Sequence, residues 1–178
     1  NRLVTDSICD VYWTPSPDAD EHLAREGVSS AKIDRVGNIM LDSFEMMRAR
    51  IEADSTCASM ELEAGNYVVV TLHRPSNVDT REALEPLVQQ LVAVSKDIPL
   101  VFAVHPRTRK KLEEFGLLER LQNALPASGP AQRATPGRGR GDGPRITLSE
   151  PLGYIKFMNL VRSARAVITD SGGVQEES

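Results

Sequence analysis

From Asn66 onward, short apolar runs of strand length alternate with longer segments in which apolar residues recur at helical spacing. The runs are Tyr67 to Leu72, Pro99 to Val104, Arg145 to Leu148 and Ala166 to Thr169. Between the first two, Arg81 to Ser95 carries Leu84, Leu87, Val88, Leu91, Val92 and Val94, close to the i, i+3, i+4, i+7 spacing of one buried helical face. Arg109 to Leu121 and Gly153 to Ala164 read likewise as helices. The alternation predicts βαβ units and hence an α/β, doubly wound parallel sheet of Rossmann-like type. The first, second and fourth runs are apolar almost throughout, as expected of strands covered by helices on both faces.

The opening stretch is patterned differently. Asp10 to Thr14 and Lys32 to Val36 predict short strands, and Asp18 to Glu26 a helix closed by Gly27. Asn38 sits where a cap belongs, ahead of the helical series Met40, Leu41, Phe44, Met47 and Ile51. Residues 1–58 are therefore expected to close one domain, with the Asn38 to Ala53 helix as a bridge and the polar stretch Glu52 to Gly65 as linker. Residues 59–178 are expected to open a second, Rossmann-like domain. Ala127 to Pro144 is low in complexity, with Gly137-Arg138-Gly139-Arg140-Gly141 at its centre, and reads as a flexible surface insertion (127–144). An RNA-binding tract is the other reading of that composition.

Charge narrows the partners. A formal net charge of −4, with 40% apolar and 26% charged residues, describes ordinary globular material without the basic face that nucleic acids or anionic membranes demand. No run approaches membrane-spanning length, and the start lacks a signal peptide's basic and apolar regions, so a cytoplasmic location is expected. Cys9 and Cys57 show no metal spacing and read as packing residues.

Three apolar strands end in polar, turn-forming residues: His73-Arg74-Pro75, His105-Pro106-Arg107 and Asp170-Ser171-Gly172-Gly173. In an open parallel sheet these ends share one edge, where ligands of doubly wound folds bind. Glycines let the backbone approach a ligand, and the first amides of a helix have no internal partners, so Ser171, Gly172 and Gly173 suit a phosphate. Two imidazoles, the guanidiniums of Arg74 and Arg107 and these amides on one rim would suit a diphosphate. Each has a bland alternative. Pro75-Ser76-Asn77 is expected to force a turn instead of a helix, Pro106 and Thr108 make a strand exit and helix start, and Asp170 orients its own turn through backbone amides. Glu176 and Glu177 suit a helix N-terminus, where a carboxylate also fits a ribose, and Phe157, at helical spacing with Tyr154 and Leu160, reads first as core.

Taken in order, His73-Arg74-Pro75-x-Asn77, His105-Pro106-Arg107-Thr108, Glu150-Pro151-Leu152-Gly153-Tyr154 and Thr169 through Glu177 closely resemble the non-hydrolysing UDP-N-acetylglucosamine 2-epimerases. The resemblance extends through Asn1-Arg2 and Val36-Gly37-Asn38 and covers nearly everything but the Arg/Gly-rich insert. It implies a GT-B-type two-domain architecture, incomplete at both ends in this chain, and interconversion of UDP-GlcNAc and UDP-ManNAc by elimination and re-addition of UDP. By the same resemblance Ser171, Gly172 and Gly173 bind the diphosphate, Glu177 the ribose, Phe157 borders the uracil, and Arg74 contacts the substrate. His73, the catalytic residue expected here, contacts the diphosphate and helps UDP leave. No cofactor and no metal are implied, and the parent is expected to be a homodimer serving cell-envelope polysaccharide synthesis. The family's proton-transferring carboxylates lie upstream of the position of Asn1, so the chain alone is expected to be inactive. Ser76 stands where relatives usually carry Glu, and Leu152 where some place a uracil-contacting Gln. A GT-B glycosyltransferase and a non-catalytic nucleotide-binding module are the competing readings.

Overall fold

The structure is a computed structural model that describes residues 2–123 and 145–177, with the side chains of Glu176 and Glu177 outside the description. The expected insertion at 127–144 lies outside the described residues. Two compact units are present, one up to Met46 and one from Met47 to Glu176.

The first unit begins with α1 (Arg2–Asp6), β1 (Tyr12–Thr14), α2 (Pro17–Arg25) and β2 (Ile33–Arg35), and enters α3 (Ile39–Ala53). β1 and β2 pair in parallel, Tyr12 opposite Ile33 and Thr14 opposite Arg35. Ser16 caps α2 by accepting from the Ala19 amide, with Pro17 at the first helical position. Asn38 caps α3 as its sequence position predicts, its Oδ1 accepting from the Met40 amide at 3.0 Å.

The second unit takes up the remainder of α3 and then runs α4 (Thr56–Ser59), β3 (Val68–Thr71), α5 (Pro75–Val78), α6 (Arg81–Val94), β4 (Leu100–Ala103), α7 (Pro106–Glu114), α8 (Leu118–Gln122), β5 (Ile146–Ser149), α9 (Tyr154–Ser163), β6 (Ala166–Thr169) and α10 (Gly172–Glu177). Its four strands form one all-parallel sheet in the order β5-β4-β3-β6. Alternate strand residues face opposite sides. On one side Val68, Val70, Leu72, Leu100, Phe102 and Val104 pack with Leu84, Val88 and Leu91 of α6, and with Leu112, Leu117 and Leu121 from the α7 to α8 region. Val69 and Val101, on the other side, are fully buried, as are Ile51 of α3 and Met158 and Leu160 of α9. Each such side chain contributes about 1.5–3 kcal/mol on leaving water.

Several expectations need correction. Arg109 to Leu121 is two helices, because Gly116 turns the chain at φ +65 between α7 and α8. Among the described residues β6 lies at the edge of the sheet, half-buried or exposed along its length, with Ile168 36% exposed. Glu52 to Gly65 is not an extended linker. It carries α4, and buried Asn159 of α9 accepts from the Cys57 amide at 3.0 Å while donating to the carbonyls of Ile51 and Asp54, both at 2.9 Å. Cys9 and Cys57 are free thiols, both half-buried.

Candidate functional site

The strand order fixes where a ligand can enter. The chain passes from β3 outward through β4 to β5, then crosses back to lay β6 on the opposite side of β3. The order therefore reverses between β3 and β6, and the connections leaving these two strands diverge to open a crevice beyond their C-terminal ends.

Strand pairing then sets the height of each residue on that edge. Val68 lies opposite both Leu100 and Ala166, and Leu100 lies opposite Ile146. Counting five positions on from each of these four aligned residues reaches His73, His105, Ser171 and Pro151, and all four line one cavity of about 260 Å³. Thr71, Ala103, Leu152, Phe157 and Val174 complete its wall. The two imidazole rings stand 5.9 Å apart, tilted by 46°. Phe157, reached from α9, borders this cavity, whereas Leu160 is the core residue of that helix and Tyr154 is 39% exposed.

Pairing of β3 with β6 also sets the role of Asp170, one residue past Thr169 and hence beside the exit of β3. Its carboxylate accepts from the His73 amide through both oxygens at 3.0 Å, from the Arg74 amide at 2.8 Å and from Asn77 Nδ2 at 3.0 Å. A fourth group, His73 Nδ1, lies 2.8 Å from Oδ1. Asp170 thus orders the neighbouring strand's exit, not its own turn, where the Ser171 amide is taken by Thr169 Oγ1 at 3.0 Å. Burial by itself would raise the Asp170 pKa, but the hydrogen bonds from Arg74, Asn77 and His73 together hold it below the usual carboxylate value. The reach of Asp170 to His73 went unread in the sequence, and its signal was the equal offset of the motifs from their strands.

Pro75-Ser76-Asn77 does not exclude helix. Pro75 occupies the first position of the single helical turn α5, which its fixed φ favours. His105 caps α7, its Nδ1 accepting from the Arg107 amide at 3.2 Å, while also lining the cavity. Buried Thr108 hydrogen-bonds the Leu72 carbonyl through its hydroxyl and locks α7 to the end of β3.

The two guanidiniums expected on the rim are not there together. Arg107 turns to Asp79 in a two-pronged pair at 2.7 and 2.6 Å, and its guanidinium holds that carboxylate below its usual range. Arg74 is brought to the site through its backbone, but its side chain is exposed and does not line the cavity. Gly172 and Gly173 open α10 directly after Ser171. The expected ribose contact of Glu177 rests on a side chain outside the described residues. Among the described residues no group of three or more His, Cys, Asp or Glu forms a metal site, and no helix is long and apolar enough to cross a membrane.

Comparison with known proteins matches this frame. The chain is 34% identical over its whole length to a UDP-N-acetylglucosamine 2-epimerase of Methanococcus maripaludis. It is 30% identical, again over its whole length, to a UDP-2,3-diacetamido-2,3-dideoxy-D-glucuronate 2-epimerase of Pseudomonas aeruginosa, spanning 43% of that relative. A crystal structure of the Methanocaldococcus jannaschii UDP-GlcNAc 2-epimerase in complex with UDP-GlcNAc and UDP superposes with a TM-score of 0.77 at 32% identity, over 99% of this chain and 44% of that one. The chain thus spans about half the length of the curated relatives it matches, 45% of the M. maripaludis protein. Over the matched residues its fold is the Rossmann-like α/β type of GT-B proteins that the sequence predicts. With the family model for UDP-N-acetylglucosamine 2-epimerase matching residues 1–178 from end to end, the chain belongs to that family.

Proposed function

We propose that this chain supplies the UDP-holding part of an enzyme that interconverts UDP-GlcNAc and UDP-ManNAc. The observation that carries the reading is the meeting of His73, His105, Ser171 and Phe157 around one cavity at the crevice between β3 and β6. The printed names of the relatives point the same way: two different sugars are involved, and UDP and epimerisation at C2 are what they share. A segment similar in sequence to both is suited to the shared nucleotide.

In this reading the side chain of Ser171 and the amides of Gly172 and Gly173 face the diphosphate, Phe157 borders the uracil, and Glu177 meets the ribose hydroxyls. Arg74 adds positive charge beside the rim. UDP leaves C1 with its bonding electron pair while a carboxylate base takes the C2 proton, giving a 2-acetamidoglucal; UDP then re-adds after protonation of the opposite face. The family resemblance puts that carboxylate outside this chain. Negative charge grows on the departing phosphate, so amides aimed at it and a proton held by His73 stabilise the transition state more than the ground state. The small molecule is the partner here, with no nucleic acid or membrane, and a homodimer is the assembly proposed for the parent.

Calorimetric titration of the chain with UDP tests the reading, alongside NMR detection of UDP-ManNAc formed from UDP-GlcNAc by the intact protein that carries it. Saturable UDP binding lost with Phe157→Ala is expected. No binding of UDP, or binding indifferent to Phe157, would refute it.

A further inference from the structure

We propose that Asp170 is a positioning residue that fixes the tautomer of His73, leaving Nε2 as the ring nitrogen that trades a proton with the departing diphosphate. The proposal rests on the reading of the cavity as the UDP site. An ionised carboxylate only accepts hydrogen bonds, so the 2.8 Å contact from Asp170 Oδ1 puts the hydrogen of His73 on Nδ1. The neutral ring then has a bare Nε2, and the ring lines the cavity.

Asp170 is built to hold this arrangement. Its side chain is 7% exposed, and the His73 amide, the Arg74 amide and Asn77 Nδ2 occupy its remaining acceptor positions. The same carboxylate therefore fixes both the backbone that carries the imidazole and the imidazole itself. His105 gives the contrast. Its Nδ1 receives the Arg107 amide, so its neutral ring carries the hydrogen on Nε2, and protonating Nδ1 would break the helix cap. Two rings 5.9 Å apart are thus set in opposite tautomers, and His73 has a counterion beside it. The titratable groups facing His73 are Asp170 from the end of β6 and His105 from the start of α7, while the side chain of its neighbour Arg74 is exposed; Phe157 of α9 and Val174 of α10 face the cavity without charge.

The proton step balances simply. As the C1–O bond breaks, its electron pair stays on the phosphate oxygen, which takes the Nε2 proton; the imidazole becomes neutral and keeps its Nδ1 hydrogen. The C2 proton goes to the carboxylate base named above. Re-addition runs the same steps in reverse.

The test uses Asp170→Asn in the intact protein, with kcat, KM for UDP-GlcNAc and the pH profile of kcat, together with 15N NMR of the His73 ring in wild type. Expected are an Nδ1-protonated neutral tautomer in wild type and a fall in kcat of about a hundredfold with KM within about threefold. The alkaline limb of the profile should move, because the variant lacks the carboxylate that faces the ring at 2.8 Å. A wild-type Nε2-protonated tautomer overturns the proposal, and this readout stands even where the variant does not fold. A loss of kcat with no movement of the limb also overturns it, since displacement of the strand exit alone would do that. Failure of wild type to bind UDP would instead overturn the reading of the cavity, whatever tautomer the NMR reports.

Discussion

Replacing Gly172 with valine separates ligand approach from folding with unusual cleanness. Gly172 does not sit in the left-handed backbone region, and a Cβ built on it would meet no atom within 4 Å. The residue opens α10, where valine has acceptable backbone angles, so the protein has no folding need for glycine at this position. The space beside its backbone is where a phosphate oxygen would come within hydrogen-bonding distance of the amides. A branched side chain there holds the phosphate off and forfeits at least one charge-assisted bond, worth about 1.5–3 kcal/mol. That converts to a rise in Kd for UDP of roughly ten- to a hundred-and-fifty-fold. Gly172→Ala, with one methyl group, should fall between. Calorimetry with UDP on the three proteins measures the affinities, and thermal melts without ligand should agree within about 2 °C, as for a surface change within about 0.5 kcal/mol. Unchanged UDP affinity in a folded Gly172→Val variant would refute the idea that this turn grips the diphosphate.

Asn159→Ala removes three hydrogen bonds, one of them buried, that hold α4 and the end of α3 to α9, and should cost about 3 kcal/mol, a drop of roughly 10 °C in Tm by calorimetry. Thr108→Val keeps shape but orphans the Leu72 carbonyl, so denaturant midpoints should show a loss of about 1–2 kcal/mol. Asp170 is held below its ordinary pKa, so its carboxylate adds stability above the unfolded value near 4, and that stability is lost as pH falls through the lower folded value. Thermal melts should therefore decline from about pH 4 downward, and less steeply in Asp170→Asn.

The sheet was readable because its signals are local. Three consecutive valines, Val68 to Val70, and the run Leu100 to Ala103 announce buried parallel strands without any partner in view, and Ala166 to Thr169 has the very bounds its composition suggests. Phe157 and Ser171 reach the cavity because strand and helix ends are punctuated by Pro and Gly. What escaped depends on the pairing of distant segments. Arg107 reads as a free cation until Asp79, 28 residues earlier, is seen to take it. Asp170 reads as a turn former until β6 is laid beside β3. The helix expected through Phe115 fails on a single glycine whose left-handed φ periodicity does not encode. Asn159 looks like a polar interruption of an apolar face, yet it is the tie that turns a supposed linker into docked structure.

The equal count of residues from aligned strand positions to His73, His105, Pro151 and Ser171 makes the sheet a ruler for the edge that lines the cavity. An insertion of one residue inside any strand would push a single corner of the cavity outward by about 3.3 Å and turn its side chain to the wrong face. Added length in the returns between strands, by contrast, leaves the four corners level.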